Sequence, residues 1–264
     1  MRLASVGLVA ALLIASVAHA ADSRAVLAPV RQQIETADYR VTGQLVKVDA
    51  GGHRTSYSLN IKALWSSGVL HTLLEIDPPS GTAGKTRQDA RVRILMEVRP
   101  NGEDTIRMVH PNEPTPAPLP SDKWGEGVSG GGFSYEDFLE PQYYWRSQSI
   151  LKTVKFGARD CDVLKSTPGA TDHSHYAEIQ TWLDRTIGFP IHAEKTLKDG
   201  GEVKEFTYFG LRQSGGVWYA SQVEVKTRGH AGSTLLIIKR GSAKANLSMR
   251  EFSPEQINHF EGRP

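Results

Sequence analysis

From Tyr39 onward, apolar and polar residues alternate with a period of two, the pattern of strands that bury one face and wet the other. The clearest case runs from 54 to 65. Tyr57, Leu59, Ile61, Ala63 and Trp65 fall on one side and Ser56, Ser58, Asn60 and Lys62 on the other, because pleating sends successive side chains to opposite faces. A preceding strand, 39–48, reaches it through Ala50-Gly51-Gly52-His53, whose glycines accept the positive φ that hairpin turns demand, so 39–65 reads as a hairpin. The alternation returns at 91–99, where Val92, Ile94, Met96 and Val98 oppose Arg91, Arg93, Glu97 and Arg99, before Pro100-Asn101-Gly102 turns the chain into 104–109. Further strands are predicted at 150–157, 160–166, 175–184, 189–198, 202–211, 217–228 and 233–240, with turns at Asp199-Gly200-Gly201, Ser214-Gly215-Gly216 and 229–232. About ten or eleven strands in hairpin succession predict a mainly β fold: a large, strongly curved, meandering antiparallel sheet whose apolar face must be covered.

Covering helices are few in the pattern. Ala25 to Glu35, 134–146 and Pro254 to Phe260 are helix-compatible, the last with Ser253 as a cap and Pro254 suited to a first turn. Residues 110–132 carry Pro111, Pro114, Pro116, Pro118 and Pro120 followed by glycines, so they cannot join a central ladder and read as a long loop or flap, either an entrance lid or a surface excursion. At the start, Arg2, the apolar stretch 3–17 and Ala18-His19-Ala20 have the form of a secretory leader cut after Ala20, which places the mature chain, 21–264, in an oxidising compartment such as the periplasm. That stretch is too short to span a bilayer core, and no later segment is both long and uncharged enough, so no membrane helix is expected in the mature chain.

Charge and chemistry narrow the functions further. Lys and Arg number 31 against 29 Asp and Glu, with signs interspersed, which leaves no footprint for nucleic acid. A single cysteine, Cys161, excludes an internal disulfide and a lipidated cysteine after the leader; Asp160 and Asp162 beside it would raise its thiol rather than activate it. His173 and His175 beside Asp172 lack a further ligand at metal spacing, and His110 and His230 have no obvious partner, so no metal and no cofactor are expected. Gly132-Phe133-Ser134-Tyr135-Glu136 lacks the second glycine of a nucleophile elbow, which leaves a hydrolase acting through Ser134 as a weak alternative. Glu136 and Asp137 are adjacent carboxylates that point in different directions, suited to first-turn electrostatics. Phe133, Tyr135, Phe138, Tyr143, Tyr144 and Trp145 make 133–145 unusually aromatic, either as packing against the sheet or as a lid closing on a hydrophobic ligand from the glycine hinge before it.

The succession GGFSYEDF at 131–138, CDVLKSTPG at 161–169, HYAEIQTWLD at 175–184, Pro190-Ile191-His192-Ala193-Glu194-Lys195 and Asp199-Gly200-Gly201-Glu202-Val203-Lys204 resembles the outer-membrane lipoprotein-sorting proteins of the LolA-like superfamily, in the branch with an FSYEDL-type motif. Phe138 stands where that motif has Leu, and the proline-rich flap departs from the family pattern. The resemblance implies one domain over 21–264, a half-open β-barrel of about eleven strands with short covering helices, and a non-enzymatic periplasmic carrier that shields acyl chains of lipoproteins or lipids and sorts them toward the outer membrane. Its partners would be those chains, an inner-membrane transporter and an outer-membrane acceptor. The apolar faces then nominate Tyr57, Leu59, Ile61, Val92, Ile94, Met96, Val223, Val225, Leu236 and Ile238 as cavity residues, with Phe133, Tyr135 and Phe138 on the lid. Periodicity names that face without separating cavity lining from plain core. An envelope assembly module that binds another protein through sheet edges and the flap is the competing reading.

Overall fold

The alternating segments all become strands. A computed structural model describes residues 23–80, 82, 91–109 and 115–258, so the leader, His110 and the first prolines of the flap lie outside the described residues. The strands are β1 (Asp38–Val48), β2 (Arg54–Ser66), β3 (Val69–Asp77), β4 (Val92–Val98), β5 (Thr105–Met108), β6 (Ala117–Pro118), β7 (Ser147–Phe156), β8 (Arg159–Thr167), β9 (Tyr176–Asp184), β10 (Phe189–Leu197), β11 (Val203–Ser214), β12 (Val217–Thr227) and β13 (Ser233–Ala243). They form one curved, unclosed antiparallel sheet of thirteen strands in the order β6-β5-β4-β3-β2-β1-β13-β12-β11-β10-β9-β8-β7. Two meanders, β1–β6 and β7–β13, therefore lie side by side, joined where β1 pairs with β13.

Two strands exceed the sequence expectation. The β3 segment Val69-Leu70-His71-Thr72-Leu73-Leu74-Glu75-Ile76-Asp77 does not alternate, because both of its faces are covered. Leu74 and Ile76 join the concave core with Ile94 and Met96 of β4, whereas Leu73 and Leu95 pack on the other face against Phe252 and Ile257. Strand β6 is two residues at the sheet edge, where proline is tolerated because, among the described residues, one side of the ladder has no partner.

The helices divide. Helix α1 (23–34) forms as expected and packs Leu27 and Val30 on Tyr143, Leu164 and Leu183. Gly188, at φ +60 in the β9–β10 turn, lets that turn come against the helix, since a Cβ there would sit 2.4 Å from Pro29 Cβ. Helix α2 (Pro254–Asn258) follows a capping box between Ser248 and Glu251. The expected helix at 134–146 does not form. Two single 3-10 turns, Glu136–Phe138 and Pro141–Tyr143, stand there instead, interrupted at Glu140, which has the left-handed φ of 49. Pro141 lacks an N–H and disfavours α geometry in the residue before it, so a continuous helix cannot run through this point.

Candidate functional site

The concave face of the sheet carries one apolar cluster that runs from β5 to β10. Leu59, Ile94, Met96 and Val225 are fully buried in it, and Tyr57, Ile61, Val92, Val223 and Leu236 pack against it half-buried. Ile238 lies on β13 opposite Gly43, half-buried and outside the cluster, beside the register shift between Thr42 and Gly43. Phe133 is buried in the same cluster, with Tyr135 and Phe138 against it; its ring meets Phe138 at 5.6 Å and, edge-on, Phe206 at 5.7 Å. The described part of the flap, 115–132, is not a surface excursion. Leu119 packs on the cluster, Val128 and Trp124 are buried in it, and the Trp124 indole donates to the Leu119 carbonyl at 3.0 Å. Residues 119–139 thus form a cover of short turns and glycines laid across the apolar face.

Buried ion pairs tie this cover to the sheet. Asp137, fully enclosed, accepts at Oδ1 from the Tyr176 hydroxyl at 2.7 Å and the Lys195 ammonium at 2.9 Å. Its Oδ2 accepts from the Ser134 backbone N–H and hydroxyl at 2.8 and 2.9 Å, with Lys204 at 3.5 Å. Burial alone would raise the carboxyl, but Lys195, Lys204 and these hydrogen bonds outweigh it and hold the group well below the usual carboxylate range. Lys195 lies 4.5 Å from the Phe206 ring centroid and 5.4 Å from that of Tyr176, so aromatic faces share in stabilising the cation. Glu136 turns the other way, accepting from the Ser174 hydroxyl, from the His175 backbone N–H at 3.0 Å and from the His175 ring. The adjacent carboxylates do diverge, and each fastens the cover to a different partner set.

Sequence reasoning missed Lys195 and Lys204, although the signal was there. Ile191-Ala193-Lys195 on β10 and Lys204-Phe206 on β11 put each lysine on an inward, apolar-face position. Four segments of the motif succession, 131–138, 175–184, 190–195 and 199–204, supply Ser134 and Asp137, Tyr176, Lys195 and Lys204 respectively, and so meet at this one cluster.

The remaining candidates have structural partners. Ser134 is fully buried with its hydroxyl directed at Asp137, and Cys161 is buried, its thiol raised by burial first and by the Asp184 charge next. The His173 ring stands edge-on to Trp124 at 6.0 Å, Asp172 accepts from the Gly169 N–H, and His230 pairs with Glu202 at 2.9 Å. Among the described residues, no group of three or more His, Cys, Asp or Glu is arranged to hold a metal. At the end of the concave face, where the β1–β2 and β12–β13 turns meet the glycines 130–132, an open cavity of about 390 Å³ lies between sheet and cover.

A family model described as an uncharacterized protein matches residues 84–259. No curated protein matches the chain. Among solved structures, a domain described as an outer membrane lipoprotein-sorting protein from Vibrio parahaemolyticus superposes with a TM-score of 0.75 at 18% identity, covering 89% of this chain and 99% of that one. A DUF1329 family protein from Desulfovibrio piger gives 0.72 at 16% identity, covering 89% and 98%. A LolA superfamily protein from Nitrosomonas europaea gives 0.62 at 14% identity, covering 88% and 97%. These likenesses establish a shared LolA-like fold.

Proposed function

Because the chain belongs to the family whose model, described as an uncharacterized protein, spans residues 84–259, and has the fold of lipoprotein-sorting proteins, we propose that it is a non-enzymatic carrier for acyl chains in the bacterial envelope. The observation that carries this reading is the pairing of a continuous apolar concave face with a cover that contains no helix longer than one turn. An ordinary core is sealed by rigid elements. Here the sealing layer is a strip of glycines and single turns anchored at Asp137 and Glu136, and in this reading it opens to admit a chain. Tyr57, Ile61, Val92, Val223 and Leu236 are half-exposed members of the face and would receive a chain first, whereas Leu59, Ile94, Met96 and Val225 form the floor. Shielding an acyl chain from water yields about 0.8 kcal/mol per buried methylene, which requires apolar surface and no covalent chemistry.

The leader-like pattern at 1–20 and the fold shared with a protein described as lipoprotein-sorting support delivery through the periplasm toward the outer membrane. No described helix is long and apolar enough to cross a membrane. An inner-membrane donor and an outer-membrane acceptor complete such a route. A protein-binding role draws on one feature, the edge strand β7, which among the described residues pairs on one side only and exposes Leu151.

Replacing Leu236, half-buried on the inner face, by Glu places a charge against any bound chain. We expect Leu236→Glu to weaken binding of a fluorescent fatty acid at least tenfold while the thermal transition of the protein persists, since desolvating an unpaired charge costs more than about 1.4 kcal/mol. Unchanged binding in the folded variant would move the chain site off this face.

A further inference from the structure

Toward one end of the concave face, one row of side chains differs from the row behind it. In register across β2, β1, β13 and β12 stand Thr55, Lys47, Thr234 and Val225; the next row inward is Tyr57, Leu45, Leu236 and Val223. One step along the strands therefore changes the surface from hydroxyls and an ammonium to unbroken apolar side chains. The open cavity of about 390 Å³ sits on the outer row, and the glycines roof it. The glycines lie close against it: a Cβ would come to 2.9 Å from Val225 Cγ1 at Gly132, 3.2 Å from the Val128 carbonyl oxygen at Gly131 and 3.3 Å from Lys47 Nζ at Gly130, which also has a left-handed φ of 65.

The polar groups here are underused. Lys47 is half-buried, its stem in line with Leu45, and among the described residues its ammonium makes one hydrogen bond, to the Ser129 carbonyl at the long distance of 3.5 Å. Thr234, 3% exposed, accepts from the Gly132 N–H at 2.8 Å, which leaves its own hydroxyl proton to donate into the cavity. Asp49 is the one carboxylate in the lining. It is turned into its own hairpin, accepting from the N–H groups of Gly51 and His53 at 2.8 and 2.9 Å and facing the His53 ring at 3.2 Å. Lys226 also lines the cavity and pairs with Glu224 at 3.2 Å. A cation and a hydroxyl donor, both short of acceptors, at the rim of an apolar face suit a ligand with anionic oxygens at one end and hydrocarbon at the other.

We infer that this rim cavity binds the anionic head, phosphate or carboxylate, of an amphiphile whose chain lies on the inner apolar face. The inference rests on the acyl-carrier reading and adds head selectivity to it: the head pairs with Lys47 and Thr234, and the chain passes Val225 and Leu236 into the interior. Neutral amphiphiles of equal chain length leave Lys47 without its partner and bind less tightly.

Calorimetric titration of the purified protein with dodecyl phosphate, dodecyl maltoside and inorganic phosphate tests this, using wild type, Lys47→Met and Lys47→Arg. We expect dodecyl phosphate to bind wild type more tightly than dodecyl maltoside does. Lys47→Met should weaken dodecyl phosphate about tenfold, the scale of one charge-assisted hydrogen bond. The same variant should leave dodecyl maltoside unchanged, which also shows that it is folded, and Lys47→Arg should restore most of the affinity. Equal binding of both amphiphiles, unaffected by Lys47→Met, would overturn the head site and leave the carrier reading standing. Inorganic phosphate binding as tightly as dodecyl phosphate would overturn the amphiphile assignment in favour of a free anion. Failure of both amphiphiles to bind wild type would overturn the carrier reading and this inference together.

Discussion

Asp137 shows how a single residue fixes the cover. Its carboxylate is enclosed with two lysines, a tyrosine hydroxyl and both donors of Ser134, so removing its charge strands Lys195 and Lys204 in a low-dielectric interior. We expect Asp137→Asn to lower stability by about 3–5 kcal/mol, the cost of breaking a buried pair from one side. Because the folded carboxyl lies below its unfolded value, its contribution is complete above about pH 4 and is lost as the pH falls through the folded value. Urea melts of wild type and Asp137→Asn should therefore differ most near neutrality and converge on acidification; a pH-independent gap would assign the effect to packing instead. The inward lysines were legible as residues but not as a site. Strand alternation places Lys195 behind Ile191 and Ala193, yet nothing in the local pattern says that a carboxylate from the 133–138 segment, across a long stretch of chain, meets it there.

At the scale of elements, strands with one wet face announced themselves and strands with two dry faces did not. The hairpin β1–β2 follows directly from alternation and its glycine turn, whereas β3 was hidden because Phe252 and Ile257 cover its second face from the far end of the sequence. The 134–146 segment has helical composition but is broken at Glu140 and Pro141, a case of local chemistry overriding propensity. Helix α1 depends on the Gly188 turn, and on hydrogen bonds from Arg31 to the Tyr143 carbonyl at 2.8 Å and from Gln33 to the Gly188 carbonyl at 3.3 Å. A methyl group at Gly188 meets Pro29 and must also adopt a left-handed φ. We expect Gly188→Ala to destabilise the protein by about 1–3 kcal/mol and to raise hydrogen exchange in α1 ahead of the sheet. Uniform exchange across helix and sheet would show that α1 is not a separately docked element.

Over the whole molecule, two meanders joined at β1 and β13 build one concave apolar face, and motif residues on strands β9, β10 and β11 of the second meander meet Asp137 to hold a cover on it. The face was legible in the sequence because periodicity selected nine of ten nominated residues that now share a cluster. The cover's fastening and the polar rim were not, since both depend on register between strands distant in sequence, such as Lys47 beside Thr234. The measurement that tests the central claim most directly is mass spectrometry of organic-solvent extracts from gently purified protein, set beside a sheet-rich periplasmic control. We expect a stoichiometric acylated species, with an anionic head group, in this protein and not in the control. A clean extract, unchanged after loading with lipid in vitro, would contradict the carrier account and leave the edge strand β7 as a surface for binding another protein.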